Sequence, residues 1–270
     1  MEKIVGRFFM KNGKFADAAD FSFTLNPQNV YEVIRVIDGI PLFLEDHLSR
    51  MTSSLALQGM RLTETPEKIR NLLLLLIKKN EVENGNIKLL INGAAPDIYL
   101  YFIPHAYPGD ALYESGVDTA TMAIVRHNPN AKVIDARYKA AVTAFIEEKN
   151  IYEALLVNPE GCITEGSKSN LFFVRGAKVL TPPLKDVLGG VTRQRILDLC
   201  KENGIPVEEV PVPLTDLPTW DGAFISGTSP KVLPIRSIDD RTLSSTENPV
   251  IQKIRRCYED KIQRYQDEHR

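Results

Sequence analysis

The sequence predicts an α+β protein in two domains, one over residues 1–112 and a larger one over residues 113–270. Three observations carry this. A chain of 270 residues with 43% hydrophobic content has material for two modest cores. Strands and hairpins crowd the first half, so the order of elements is mixed rather than a strict alternation of strand and helix. A stretch dense in turn residues, Pro104 to Gly116, separates the two halves.

Within the first half, Phe8 to Phe15 reads as a hairpin, because Asn12-Gly13 suits the two positive φ angles of a tight turn. Val30 to Ile37, then Asp38-Gly39, then Ile40 to Leu44 reads as a second hairpin. Glu45 to Leu55 follows, with acids first and apolar residues at Leu48, Met51 and Leu55, the spacing of an amphipathic helix. Leu72 to Ile77 is too short to span a bilayer. Flanked by Thr65-Pro66-Glu67 and Lys78-Lys79, it reads as a buried helix. Strands follow at Ile87–Ile91 and Ile98–Ile103.

The second half opens with a strand from Val117 to Val125 and a loop around Asn128-Pro129-Asn130. A helix follows from about Ala136 to Lys149. Strands lie near Ala154–Asn158 and Leu171–Val174. A helix starts at Val191 or Thr192 and ends before Gly204, and Asp221–Ser226 is a short strand. Pro249 to Arg270 reads as a polar, charged helix, either a packing arm or a solvated tail.

The charge, 33 basic against 35 acidic residues with no block of one sign, gives no footing for nucleic acid or an anionic membrane. Cys162, Cys200 and Cys257 are far apart and form no CxxC pair. That argues against a disulfide framework or a zinc site and for a reducing cytosol. The start, Met1 to Gly6, has no apolar core of a signal peptide.

Several stretches carry possible chemistry. Pro129-Asn130-Ala131-Lys132-Val133 places a lysine in a loop between a strand and a helix, and a lysine whose amine is deprotonated by burial or nearby cations forms Schiff bases. Gly161 to Asn170 sets Glu165 in a Gly- and Ser-rich turn, where a carboxylate can pair with a protonated ring nitrogen. Leu188-Gly189-Gly190-Val191-Thr192-Arg193 opens a helix on glycines, which suits a phosphate; it lacks the lysine of a P-loop. Ser226-Gly227-Thr228-Ser229-Pro230 offers hydroxyls at a strand end. His47 and Arg50, three apart, share a helix face, and arginine holds phosphate bidentately. Each has a plainer reading taken singly: a solvated lysine, a hairpin with a solvated glutamate, an ordinary helix start, a loop, an exposed arginine beside a packed histidine.

Taken in order from Val30 to Ile238, these stretches resemble the class IV aminotransferases, the fold-type-IV pyridoxal phosphate enzymes. That group includes branched-chain and D-amino-acid aminotransferases and aminodeoxychorismate lyase. Val30-Tyr31-Glu32-Val33-Ile34-Arg35 through His47-Leu48-Ser49-Arg50 is similar to its N-terminal block, Gly161 to Phe172 to its acid-containing segment, and Leu188 to Arg193 with Gly227-Thr228 to its phosphate cup.

The resemblance implies a D-amino-acid-aminotransferase-like architecture with pyridoxal 5′-phosphate between the domains. It makes Lys132 the Schiff-base lysine and proton shuttle, and Glu165 the partner of the pyridine nitrogen, steadied by Asn170. Arg50, the backbone of Val191 and Thr192, and Thr228 would hold the phosphate, and Leu188 would pack on the ring. Tyr31, Lys88, Gly227 and Ser229 fall on the substrate side. The resemblance also implies a homodimer, with Tyr31 and the strand Ile87–Ile91 lining the site; the cysteine pattern gives the cytoplasm and no metal.

Departures from the family pattern bear on specificity. Val133-Ile134-Asp135-Ala136-Arg137-Tyr138 does not follow the Gly-Gly-Asn-Tyr run of many branched-chain members, so the ring-hydroxyl partner is open, with Arg137 and Tyr138 as candidates. Lys139 is the alternative lysine. The stretch Ala94 to Tyr99 offers Asp97 and Tyr99 where D-amino-acid members carry an arginine and a histidine; an acid there would repel a carboxylate. Ile87-Lys88-Leu89 lacks the Tyr-x-Arg of branched-chain members, and Lys88 looks more like the lyase branch. The expected activity is amino transfer, by default from a branched-chain L-amino acid to 2-oxoglutarate. The alternatives are aminodeoxychorismate lyase and a non-catalytic relative.

Overall fold

The computed structural model describes residues 3–93, 96–126 and 128–270. Met1 and Glu2 of the N-terminal reading, and Ala94 and Ala95 of the stretch compared for specificity, lie outside the described residues. The fold is α+β in two units. The first comprises Met1–Ala106, Ala131–Ile134 and Ile262–Arg270, and the second Tyr107–Asn130 and Asp135–Lys261.

In the first unit, β1 (Val5–Lys11) and β2 (Lys14–Asp17) form the expected hairpin, and β3 (Asn29–Ile37) and β4 (Ile40–Pro41) the second. Both turns use a positive-φ pair, Asn12-Gly13 and Asp38-Gly39. β4 is shorter than expected because Phe43 takes a left-handed conformation, φ 52°, and α1 (Leu44–Leu57) begins directly after it. α2 (Pro66–Asn80) is capped by the Thr65 hydroxyl, which accepts from the Lys68 N–H. With β5 (Gly85–Asn92) and β6 (Asp97–Ile103) the described strands make a six-stranded antiparallel sheet in the order β2-β1-β6-β5-β3-β4.

The period of two along β3 buries Val30, Ile34 and Val36 in one core with Leu48, Met51 and Leu73 of the two helices. Glu32 shares that register and is fully buried. The Leu72–Ile77 run differs from the buried helix expected: Leu72, Leu73, Leu76 and Ile77 face the core, while Leu74 and Leu75 face solvent.

In the second unit, the turn-rich stretch before Val117 contains a short helix, α3 (Asp110–Ser115). Then come β7 (Val117–Ala123), α4 (Ala136–Lys149), β8 (Glu153–Val157), β9 (Cys162–Gly166), β10 (Asn170–Arg175) and β11 (Lys178–Thr181). α5 (Val191–Glu202) is followed by β12 (Val207–Glu209), β13 (Val212–Pro213), β14 (Gly222–Gly227), β15 (Lys231–Ile238), β16 (Arg241–Thr242) and α6 (Pro249–Glu268).

The described strands form a mixed sheet in the order β12-β11-β10-β14-β15-β7-β8-β9-β13, with β16 on β15. Leu155, Ile163, Leu171, Phe173, Ile225 and Leu233 lie in its core. The sequence predicts no strand at β9, β11, β12, β13, β15 or β16. β11 is only four residues long, and Pro234 sits inside β15, where a proline argues against a strand.

The charged composition of α6 conceals a buried stripe, Ile251, Ile254, Tyr258, Ile262 and Tyr265, at the 3–4 spacing of an amphipathic helix. Its last turns pack in the first unit. The Tyr265 ring lies 5.0 Å from that of Phe43, and its hydroxyl donates to Glu45 at 2.8 Å. The helix is therefore a packed element rather than a solvated tail.

Candidate active site

In the first unit the sequence-predicted residues gather around the start of β3. The segment Ala131–Ile134 runs beside that strand. The Tyr31 N–H donates to the Lys132 carbonyl at 3.0 Å, the Ile134 N–H to Asn29 Oδ1 at 2.8 Å, and the Lys132 N–H to the buried Ser54 hydroxyl of α1 at 3.3 Å. These bonds fix the main chain of Lys132, and its Nζ lies 5.0 Å from the centroid of the Tyr31 ring. Lys88, buried on β5, places its Nζ 4.6 Å from the same ring. Tyr31, Lys88 and Lys132 are thus brought together.

Arg50 is not the exposed helical arginine of the plainer reading. Its side chain is 12% exposed and grips Glu32, with Nε 2.8 Å from Oε1 and Nη2 2.5 Å from Oε2. His47 Nδ1 lies 2.7 Å from Oε2. Burial would push the Glu32 carboxyl up, but the charge and hydrogen bonds of Arg50 and the His47 bond outweigh it and hold the group at about 2. An ionised carboxylate only accepts, so His47 Nδ1 carries the hydrogen and donates. Burial lowers the pKa of His47, the Glu32 contact opposes this, and the charges of Arg50 and Lys132 add to the lowering.

The second unit holds the other predicted residues. Glu165 lies on strand β9 rather than in the turn expected for it; the turn is confined to residues 167–169. It is a buried carboxylate, not a solvated one. Its Oε2 accepts from the Leu188 N–H at 3.0 Å, and Arg126 Nη1 lies 3.6 Å from Oε1. Asn170 Nδ2 donates to the Leu188 carbonyl at 2.8 Å, which steadies the same turn. A Cβ on Gly190 would overlap the Asn170 side-chain oxygen, so any larger residue there must displace that side chain.

α5 then starts at Val191 with no side-chain cap, leaving its first N–H groups outside the helical ladder. The buried Thr192 hydroxyl is 3.4 Å from the Tyr258 hydroxyl. Gly227 is the last residue of β14, and Thr228 and Ser229 lie in the turn after it; all three are half-buried.

Of the two candidates for a ring-hydroxyl partner, Tyr138 donates its hydroxyl to the Ser167 carbonyl at 3.2 Å, and Arg137 is exposed at the start of α4. Lys139 is also exposed on that helix. Asp97 is an ionised carboxylate paired with a lysine. Lys11 lies 2.8 Å from that carboxylate, and its hydrogen bond, with that of Asn12, lowers the pKa of Asp97.

Sequence reasoning missed Glu32 and Arg126. The period-two register of β3 could have flagged the first, as an acid where the core needs an apolar residue. No local pattern marks Arg126, which follows the end of β7, because its partner Glu165 lies on β9, far along the chain.

The donor set fits the expected cofactor. A buried carboxylate kept beside an arginine is of the kind that holds a protonated ring nitrogen, and an uncapped helix start next to hydroxyls suits a phosphate. In the first unit, a lysine with a fixed main chain and a guanidinium held in one orientation are of the kinds that take an aldehyde and a phosphate.

Comparison with known proteins agrees. Residues 29–238 match the family described as amino-transferase class IV. D-alanine aminotransferase of Bacillus licheniformis is 27% identical over 272 residues, covering 95% of this chain and 95% of that protein. Branched-chain-amino-acid aminotransferase of Pseudomonas aeruginosa is 26% identical, covering 86% of this chain and 83% of its own. The crystal structure of branched-chain aminotransferase from Thermoproteus uzoniensis with norvaline superposes with a TM-score of 0.86 at 25% identity, covering 98% of this chain and 97% of the other.

Proposed function

This chain belongs to the class IV aminotransferases and is a pyridoxal 5′-phosphate-dependent enzyme of amino transfer, and from that premise we propose that it moves the amino group of a branched-chain L-amino acid to 2-oxoglutarate. The observation that carries the reading is the family match across both units, with a lysine of fixed main chain in one and a buried, hydrogen-bonded carboxylate in the other. The branched-chain aminotransferases of Pseudomonas aeruginosa and Thermoproteus uzoniensis support the donor.

Lys132 is the proposed covalent anchor of the cofactor, and its Nζ takes and returns the Cα proton of the substrate. The cofactor, when bound, supplies the electron sink. Glu165 holds a proton at the ring nitrogen, with Asn170 keeping the Leu188 turn in place and Leu188 packing on the ring. Arg50, the N–H groups of Val191 and Thr192, and the Thr228 hydroxyl hold the phosphate. Tyr31, Lys88, Gly227 and Ser229 orient the substrate, Lys88 by offering its cation to a carboxylate. Among the described residues no helix is long and apolar enough to cross a membrane. We place the enzyme in the cytoplasm as a homodimer, which sedimentation of the purified protein tests.

The deciding experiment incubates the protein, saturated with pyridoxal phosphate, with L-leucine, L-valine, L-isoleucine or D-alanine, with and without 2-oxoglutarate. Glutamate formed from the L-amino acids is the expected result. Glutamate from D-alanine alone would overturn the proposed donor. Pyruvate released from aminodeoxychorismate without any oxo acid would make the enzyme a lyase.

A further inference from the structure

We propose that Glu32 is a positioning residue, which sets the orientation of the Arg50 guanidinium for the phosphate of the cofactor and fixes the tautomer of His47. The proposal rests on the phosphate role given to Arg50 above. Glu32 occupies a strand position whose neighbours in the same register, Val30, Ile34 and Val36, are core residues. A carboxylate placed there without partners is strongly unfavourable. It is met instead by three donors from one helix, Arg50 Nε at 2.8 Å, Arg50 Nη2 at 2.5 Å and His47 Nδ1 at 2.7 Å.

The geometry is specific. The two arginine nitrogens meet different oxygens of the carboxylate, so the guanidinium plane and its rotation are both set. The directions of its remaining N–H groups follow. Arginine is otherwise a side chain of many rotamers, and an anion-binding arginine whose rotamer is prepaid loses less on binding. His47 is held by the same carboxylate with its hydrogen on Nδ1, which leaves Nε2 as an acceptor. Glu32 also follows Tyr31, whose N–H holds the Lys132 carbonyl, so β3 carries both the anchor of the lysine and the anchor of the arginine.

A merely structural ion pair would account for the same distances, so the test separates the two roles. The dissociation constants of pyridoxal phosphate and of pyridoxal, which lacks the phosphate, are measured by absorbance for wild type, Glu32→Gln, Arg50→Gln and the double variant. Positioning predicts that Glu32→Gln weakens pyridoxal phosphate about tenfold, the scale of one charge-assisted hydrogen bond, and leaves pyridoxal unchanged. It also predicts that the double variant loses no more than Arg50→Gln alone.

Equal loss for both ligands, or loss for neither, overturns the proposal. Should Glu32→Gln not fold, Glu32→Asp keeps the charge but shortens the reach, and the same selective loss is expected. A wild type that binds neither ligand would sink the cofactor reading itself. A wild type that binds both equally would sink the phosphate role of Arg50, and the proposal with it.

Discussion

Tyr31 holds Lys132 at two points: its N–H donates to the lysine carbonyl at 3.0 Å, and its ring lies 5.0 Å from the lysine Nζ. One residue of a core strand thus ties down the main chain of the proposed reactive lysine and lies against its amine.

Replacing that amine is the sharpest trial of the assignment. Lys132→Ala should lower the turnover rate by roughly 10³-fold or more and abolish attachment of cofactor after borohydride reduction. Lys139→Ala should leave both intact, since that side chain is exposed on α4. Peptide mapping of the reduced protein reads the outcome, and label on Lys139 would reverse the assignment.

Glu165→Gln keeps the shape and can still accept from the Leu188 N–H, but removes the charge. The cofactor should still attach, with turnover down by at least about 10²-fold, because a neutral ring nitrogen is a weaker electron sink. Single-turnover kinetics check this, and an unchanged rate would remove Glu165 from the mechanism.

Gly190→Ala should cost about 1–3 kcal/mol in stability, since the new methyl overlaps the Asn170 side-chain oxygen and must displace it. The same shift disturbs the Leu188 turn and the start of α5. Denaturant unfolding should show the loss, and phosphate-dependent cofactor affinity should fall with it.

Acid should weaken the protein through Glu32. Its folded pKa, about 2, is depressed from the ordinary 4.5, so the folded state binds fewer protons in between. Its stabilisation is complete above 4.5 and is lost as pH falls toward 2. Glu153 acts in the opposite sense: burial pushes its pKa up, so its contribution is complete below 4.5 and falls as pH rises. Glu32→Gln should cost about 3–5 kcal/mol near pH 7, as expected for a buried charge left without its partner. Denaturant unfolding from pH 7 to pH 3 should show that gap narrowing. A gap of constant size would mean that Glu32 does not titrate as described.

The hairpins and most helices were legible because their signals are local: two positive-φ turns, a capped helix start and a 3–4 apolar spacing. The candidate residues were legible only as a set in order. What escaped was set by distant partners. Glu32 reads as an ordinary strand acid until α1 supplies His47 and Arg50. Glu165 looked like a turn residue because glycine and serine surround it, although the turn takes in only residues 167–169. Pro234 hid β15, and the charges of α6 hid its buried stripe.

Because Ala131–Ile134 and Ile262–Arg270 belong to the first unit, that unit is not a fragment that can be cut from the front of the chain. Synthesis stopped after Ala106 would yield a sheet without its lysine and without Tyr265, whose hydroxyl accepts from the Leu44 N–H at 3.2 Å. On the ribosome, the sheet of residues 1–106 is therefore made well before Ile262–Arg270, the segment that completes its unit. A recombination event that exchanged either half alone would pass on neither unit intact.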